Sequence, residues 1–187
     1  MKMIRLFDVF FSLLGLIVLL PLLLILIVFG FLDTGKPLFV QNRLGKNRKL
    51  FKLIKLRTMH PSTKSVATHL AKKDSVTKFG SFLRSSKLDE LPQLINVLKG
   101  EMSLVGPRPN LENQTELINQ RKQRKVYSVL PGITGLSQIN EIDMSTPKKL
   151  SISDANMIQG LNLKNYFYYI FATISGKGKG DRIKEKK

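Results

Sequence analysis

Residues 9–32, VFFSLLGLIVLLPLLLILIVFGFL, form a run of 24 residues without a charge, bounded by Asp8 and Asp33. As a straight helix such a run is roughly 36 Å long, enough to cross the hydrocarbon core of a bilayer. It is too long for the apolar core of a signal peptide, and no small-x-small cleavage pattern follows it, so it is expected to persist in the mature protein. Pro21 sits at its midpoint, where the ring deletes one backbone hydrogen bond and pushes the helix axis aside. Lys2 and Arg5 precede the run; Lys36, Arg43, Lys46, Arg48, Lys49, Lys52, Lys55 and Arg57 follow it. Basic flanks favour the cytoplasm, and a single crossing would place one of them outside. The expected form is a re-entrant helix-break-helix, bent at Pro21, which enters one leaflet and returns. A spanning helix with a mild proline kink is the alternative.

The 187-residue chain can hold one further domain. Its formal charge of +18 calls for an anionic partner: nucleic acid, a phosphorylated substrate or anionic lipid. With no cysteine, disulfides and thiolate metal sites are excluded. The two histidines, His60 and His69, do not have the spacing of a tight zinc pair, so a metal here would be a hard, oxygen-bound ion such as Mg²⁺.

Beyond residue 33 the pattern changes to short elements. Two strands are expected near residues 38–41 and 50–56, around a turn at LGKN, and alternation along the second projects Lys55 and Arg57 from one side. A solvated strand edge or a lipid-headgroup contact is the plainer use of those cations. Residues 60–76 read as a polar loop. Val76, Phe79, Phe82 and Leu83 then recur at helical spacing, with Lys78, Arg84 and Lys87 on other sides: a short amphipathic helix suited to a core or to a membrane surface.

SSKLDELPQL, residues 85–94, places two carboxylates before a proline. Leu88, Leu91, Leu94, Ile95 and Leu98 mark one helical face, ended by Gly100. Ser86 and Asp89 fit a capping box, and Pro92 fits a first turn, so Asp89 and Glu90 read locally as acids at the positive end of a helix. In GPRPN, Pro107 and Pro109 stiffen the backbone around Arg108, whose guanidinium fork suits a phosphate or a carboxylate. A polar helix is expected over residues 111–126. PGITGLSQIN follows, with Gly132 and Gly135 bracketing a small strand where backbone could approach a flat ligand. NLKNYFYYIFATI reads as a helix suited to a core or a membrane interface.

The segments KLFKLIKLRTM, TKFGSFLRSSKLDELPQLINVLKGEMSLVGPRP and PGITGLSQIN resemble the small monotopic phosphoglycosyl transferases of bacteria, also called bacterial sugar transferases. The likeness runs from the apolar segment to about residue 171. It implies an α+β fold: a re-entrant anchor over residues 1–34, a small cytoplasmic catalytic domain over 35–174 with short strands and amphipathic interface helices, and a disordered basic tail over 175–187. It also implies transfer of a phosphosugar from a UDP-sugar to polyprenyl (undecaprenyl) phosphate with release of UMP, at the cytoplasmic membrane of a bacterium. Asp89 would be the nucleophile that forms a covalent phosphosugar intermediate, and Glu90 would help hold Mg²⁺. Arg108, Arg84, Lys55 and Arg57 would be the phosphate clamps. Pro131, Gly132, Thr134, Gly135 and Gln138 would form the nucleotide wall.

Two departures stand out. The family bends at a Ser-Pro pair, whereas here Leu20 precedes Pro21. Glu141 stands where a glycine is expected after Asn140, and no arginine follows, which leaves Lys148 or Lys149 as candidate substitutes. The sugar is not named by the sequence, although the segment is similar to a subgroup that handles amino-deoxy sugars. Chemically, attack of a carboxylate on a diphosphate needs cations to offset the like charges. Adjacent helical residues point about 100° apart, so Asp89 and Glu90 suit two separate jobs, attack and metal placement. A membrane-tethered basic adaptor for anionic lipid or nucleic acid is the alternative from another class, although no nucleic-acid motif is present. A nucleotide-sugar hydrolase using the same dyad is a third.

Overall fold

A computed structural model describes residues 2–63 and 73–178. Residues 64–72 of the expected 60–76 loop, His69 among them, and residues 179–187 of the expected tail lie outside the described residues. The fold mixes helices and short strands, and it begins with one long apolar helix, α1 (Lys2–Thr34). The break expected at Pro21 does not interrupt the helical run: Pro21 lies inside α1. A proline removes one donor from the ladder, and the helix continues on either side of it.

One stripe of α1 faces the rest of the chain. Asp8, Ser12, Leu23, Leu26 and Gly30 are buried, at spacings of whole helical turns, while Phe10, Ile17, Val18, Val28 and Leu32 are exposed. Small residues let neighbours approach: a Cβ on Gly15 would come within 3.3 Å of Leu94, and one on Gly30 within 3.1 Å of Pro37. Polar bonds fasten the two ends. Arg5 donates to the carbonyls of Val97 (2.7 Å) and Leu98 (3.1 Å), and Asp8 accepts from the Ser103 hydroxyl, the Leu104 amide and the Tyr166 hydroxyl. At the other end Thr77 donates to Asp33 at 2.7 Å.

β1 (Leu38–Leu44) and β2 (Leu50–Leu56) form an antiparallel hairpin with Leu38 opposite Leu56 and Leu44 opposite Leu50. β1 is longer than expected: Gln41 and Arg43 turn inward, where Arg43 donates to Gln41 at 2.6 Å, and Asn42 between them faces out. α2 (Lys78–Ser85) is capped by Thr77, whose hydroxyl accepts from the Gly80 amide. α3 (Gln93–Leu98) ends at Gly100, which has φ +78°, the left-handed conformation that favours glycine. β3 (Ser103–Val105) pairs in parallel with β4 (Gly132–Thr134), and the crossover between them carries α4 (Thr115–Gln123). α5 (Leu136–Ile139), α6 (Pro147–Gln159) and α7 (Leu163–Ile174) complete the described chain.

Three apolar clusters hold these elements. Leu23 and Leu26 of α1 meet Leu56 and Leu83, with Leu88 and Leu91 packed alongside. Phe51, Leu53, Val97 and Met102 join the hairpin to α3. Val105, Ile139, Met157, Tyr166, Tyr169 and Ala172 form the third, against which Ile4 and Phe7 of α1 pack. Phe7 meets Phe167 edge-on at 5.2 Å, and Phe29 lies 6.1 Å from Phe79, so α7 and α2 flank the two halves of the long helix.

Candidate active site

The helix start expected at Ser86 takes a different form. Ser86 makes no capping box; its hydroxyl donates back to the carbonyls of Phe82 and Leu83 at the end of α2. Lys87 then adopts φ +58°, reversing the chain, and Leu88–Glu90 form a single 3₁₀ turn. α3 begins only at Gln93, after Pro92. The carboxylates therefore sit on a tight turn between two helices, on a mount made by the leucines on either side. Leu88 and Leu91 pack against the cluster that includes Leu23 and Leu26 of α1. Asp89 is 7% exposed and Glu90 is half-buried.

Among the expected cations, Arg108 reaches the turn directly: its Nη2 donates to Glu90 Oε1 at 2.9 Å. Arg84 is buried, and its Nε donates to the Thr58 hydroxyl at 2.8 Å, fixing α2 to the end of the hairpin. Lys55 and Arg57 do share one side, with their charges 5.6 and 5.3 Å from the Phe39 ring centroid. Arg57 also donates to the carbonyls of Lys36 (2.9 Å) and Leu38 (3.3 Å), so it closes the junction of α1 and β1.

The 131–138 segment packs beside Arg108. Gly132 and Gly135 do permit close approach, and the neighbour they admit is the chain's own backbone. A Cβ on Gly132 would fall 1.9 Å from the Gly106 amide nitrogen, and one on Gly135 would fall 2.8 Å from the Gly106 oxygen. Pro131 and Thr134 are buried with them, and Thr134 shares a hydrogen bond with Thr173 of α7. Gln138 donates to the Gly106 carbonyl at 3.0 Å. These residues thus brace the loop that carries Arg108.

The Glu141 departure also has a conformational side. Its φ is +55°, a region where a side chain is disfavoured and glycine is at ease, so a glycine would suit the position. Lys148 and Lys149 line a separate groove of about 440 Å³ with Glu116, Thr146 and Ile152.

Lys87 lies beside the candidate site, although its sequence marks it as one more cation of α2's surroundings. Burial pulls its ammonium below the usual lysine range, opposed by the charge of Glu90, with Arg108 and Glu141 also acting on it. Its Nζ donates to the carbonyl of Lys177, beyond α7.

Among the described residues no group of three or more His, Asp or Glu gathers as a metal cage. The donor set nonetheless fits Mg²⁺, which is commonly held by one or two carboxylates together with substrate phosphates rather than by protein alone. Glu90 would supply a carboxylate, and a diphosphate would supply the rest. Chemically, the turn offers one buried carboxylate, a second carboxylate in contact with a guanidinium, and a lysine close by. That is a set of charges suited to phosphoryl transfer.

Comparison with known proteins agrees. The family model described as bacterial sugar transferase matches residues 1–179. The chain is 42% identical over 133 residues to a Bacillus subtilis (strain 168) protein named for undecaprenyl-phosphate N-acetylgalactosaminyl 1-phosphate transfer, covering 70% of each. It is 36% identical to an exopolysaccharide production protein of Sinorhizobium fredii, over 91% of this chain and 83% of that one. It is 41% identical to the undecaprenyl-phosphate glucose phosphotransferase of Komagataeibacter xylinus, over 73% of this chain and 27% of that longer one.

Proposed function

The chain belongs to the bacterial sugar transferases and is an enzyme of the phosphoglycosyl transferase class, and from that premise we propose that it moves a phosphosugar from a UDP-sugar to undecaprenyl phosphate. Membership removes the non-enzymatic adaptor as an alternative. The observation that carries the reading is the 2.9 Å contact of Glu90 and Arg108 beside buried Asp89, on a turn packed against α1.

In the proposed reaction an Asp89 carboxylate oxygen attacks the sugar-linked phosphorus. The bond from that phosphorus to the bridging oxygen breaks, and its electron pair leaves with UMP. An oxygen of undecaprenyl phosphate then attacks the same phosphorus and displaces Asp89, which regains its charge. Each step brings anions together, so cations must offset them. Arg108 holds a phosphate oxygen through its fork, Arg84 and Lys55 add positive potential, and the 131–138 segment borders the nucleotide. Mg²⁺, held by Glu90 and donor phosphate oxygens, would supply neutralising charge. The related proteins are named for different sugars, so the donor is assigned only as a UDP-sugar, with an N-acetylated amino-deoxy sugar as first choice.

We further infer that α1 is re-entrant and that residues 35–174 work at the cytoplasmic face. The support is mechanical: Arg5 and Asp8 near one end and Asp33 at the other bond to the same folded body. A helix crossing the bilayer separates its ends by roughly 30 Å of hydrocarbon. The acceptor phosphate lies at headgroup level, where a half-buried enzyme meets it without extracting the lipid.

The test is UMP release from a panel of UDP-sugars, with and without undecaprenyl phosphate. Release that requires the lipid supports the transferase; equal turnover without it would mean a hydrolase. Intact mass after incubation with donor alone should show a phosphosugar on residue 89.

A further inference from the structure

The loop that presents Arg108 is held in an unusual way. Pro107 and Pro109 lack amide hydrogens, so the segment has few donors with which to bond itself. Its consecutive carbonyls are instead taken one by one from outside. Gly106 O accepts from Gln138 Nε2 (3.0 Å), Pro107 O from the Gly132 amide (2.9 Å), Arg108 O from Arg121 Nη1 (2.8 Å), Pro109 O from Arg43 Nη1 (3.0 Å) and Asn110 O from the Leu44 amide (2.9 Å). The central fixing draws on a deeply buried ion pair. Arg121 is 2% exposed and Asp154 is 0% exposed; Asp154 Oδ2 accepts from Arg121 Nε (3.0 Å) and Nη2 (2.7 Å). Arg121 Nη1 also reaches Asn110 Oδ1 at 2.9 Å, and Asp154 Oδ1 accepts from Ser137 at 2.8 Å.

We propose that Arg121, oriented by Asp154, is a positioning residue that aims the Arg108 guanidinium at the donor's diphosphate. The inference rests on the reading of Arg108 as a phosphate clamp. An ion pair so deeply buried is a poor source of net stability, because desolvation cancels much of its attraction. Its geometric effect is specific, however. Asp154 fills one edge of the guanidinium, leaving Nη1 to hold the backbone of the residue whose side chain meets Glu90. Through Ser137 the same carboxylate ties α5, and so the 131–138 segment, to that loop. The clamp and its neighbouring wall are thereby set at a fixed distance before any ligand arrives.

The experiment measures UDP affinity in MgCl₂ for the full chain in lipid nanodiscs. The variants are Arg108→Ala, Arg121→Lys, the apolar pair Arg121→Met with Asp154→Leu, and each of the last two combined with Arg108→Ala. Arg121→Lys keeps a charge for Asp154 but loses the fork. The apolar pair removes the buried charges together, which commonly preserves stability. Thermal midpoints close to that of the unmodified protein identify folded variants. Arg108→Ala and Arg121→Lys should each weaken UDP binding about tenfold, and combining them should add little, because both remove the same contact. The apolar pair should behave as Arg121→Lys does, at an undiminished midpoint. Losses that multiply in the combined variants would overturn the positioning role while leaving the clamp intact. So would undiminished UDP affinity in Arg121→Lys. An Arg108→Ala protein that binds UDP normally would remove the clamp reading itself, and this inference with it.

Discussion

Arg108 Nη2 rests 2.9 Å from Glu90 Oε1, so the guanidinium expected to meet phosphate is already in contact with the acid expected to place the metal. Each offsets the other's charge across a partly exposed gap. When a diphosphate and a cation enter together, both partners can exchange at once, and neither is left uncompensated. The pair is thus a matched resting state for the proposed site, which would accept opposite charges together.

Loss of the proposed nucleophile should be the most severe change. Asp89→Asn keeps the size of the side chain but weakens its nucleophilicity, and transfer should fall by about 10³-fold or more. Steady-state UMP release and the disappearance of the mass adduct both check it; an adduct that survives in the Asp89→Asn enzyme would point to another nucleophile.

Glu90→Gln separates placement from attack. The variant should lose about 10²–10³-fold in rate and respond only weakly to added MgCl₂. Titration with MgCl₂ and EDTA against both enzymes gives the comparison, and an unaltered metal response would rule out Glu90 as a ligand.

The absence of cysteine makes topology directly accessible. Lys2→Cys and Lys36→Cys, introduced singly, should both react with an impermeant maleimide from the same side of sealed vesicles. Labelling from opposite sides would mean that α1 spans.

Alkaline titration tests the packing of the helical core. Burial raises the phenols of Tyr127, Tyr166 and Tyr169, and the charge of Asp8 pushes Tyr166 further. Their folded values exceed the unfolded one near 10, so the stability they contribute is complete below about pH 10. It is lost as pH rises through the folded values. Absorbance at alkaline pH should show tyrosine ionisation coinciding with unfolding. Tyr166→Phe, which removes a donor to Asp8, should cost about 1–3 kcal/mol in denaturant melts.

Glu141→Gly should stabilise the protein by about 0.5–1 kcal/mol, because the position has φ +55°. Glu141→Gln controls for the lost charge and should leave stability nearly unchanged.

Elements with a strong period were readable in the chain: the apolar helix, the hairpin, and the aromatic helix α7. Asp89, Glu90 and Arg108 stood out by residue type, and the fold brings the turn that carries the first two against the third. Three features were hidden for physical reasons. The capping-box pattern at Ser86 fits a helix start, but the left-handed turn at Lys87 is carried by a lysine, not by the glycine or asparagine that would announce it, so it gives no local signal. α6 escaped notice because its inward face carries Ser151, Ser153 and Asp154 beside Leu150 and Met157, which blurs the apolar period. The glycines of the 131–135 segment announce close approach but do not say to what. Only the fold shows that Gly106 occupies the space.

Burial of one stripe of α1 also bears on the order in which the protein is assembled. A chain made from its N-terminus completes α1 before Leu56, Leu83, Ser103 and Tyr166 exist to receive it. During that interval Asp8 lacks its three donors and Leu23 and Leu26 lack their partners in the folded body. The Leu88–Glu90 turn gains its seat once Leu88 and Leu91 emerge, and Asp8 is fully bonded only when synthesis has passed Tyr166. A chain stripped of α1 would leave those leucines without their partners, so docking of α1 is a stage of folding and not a later attachment.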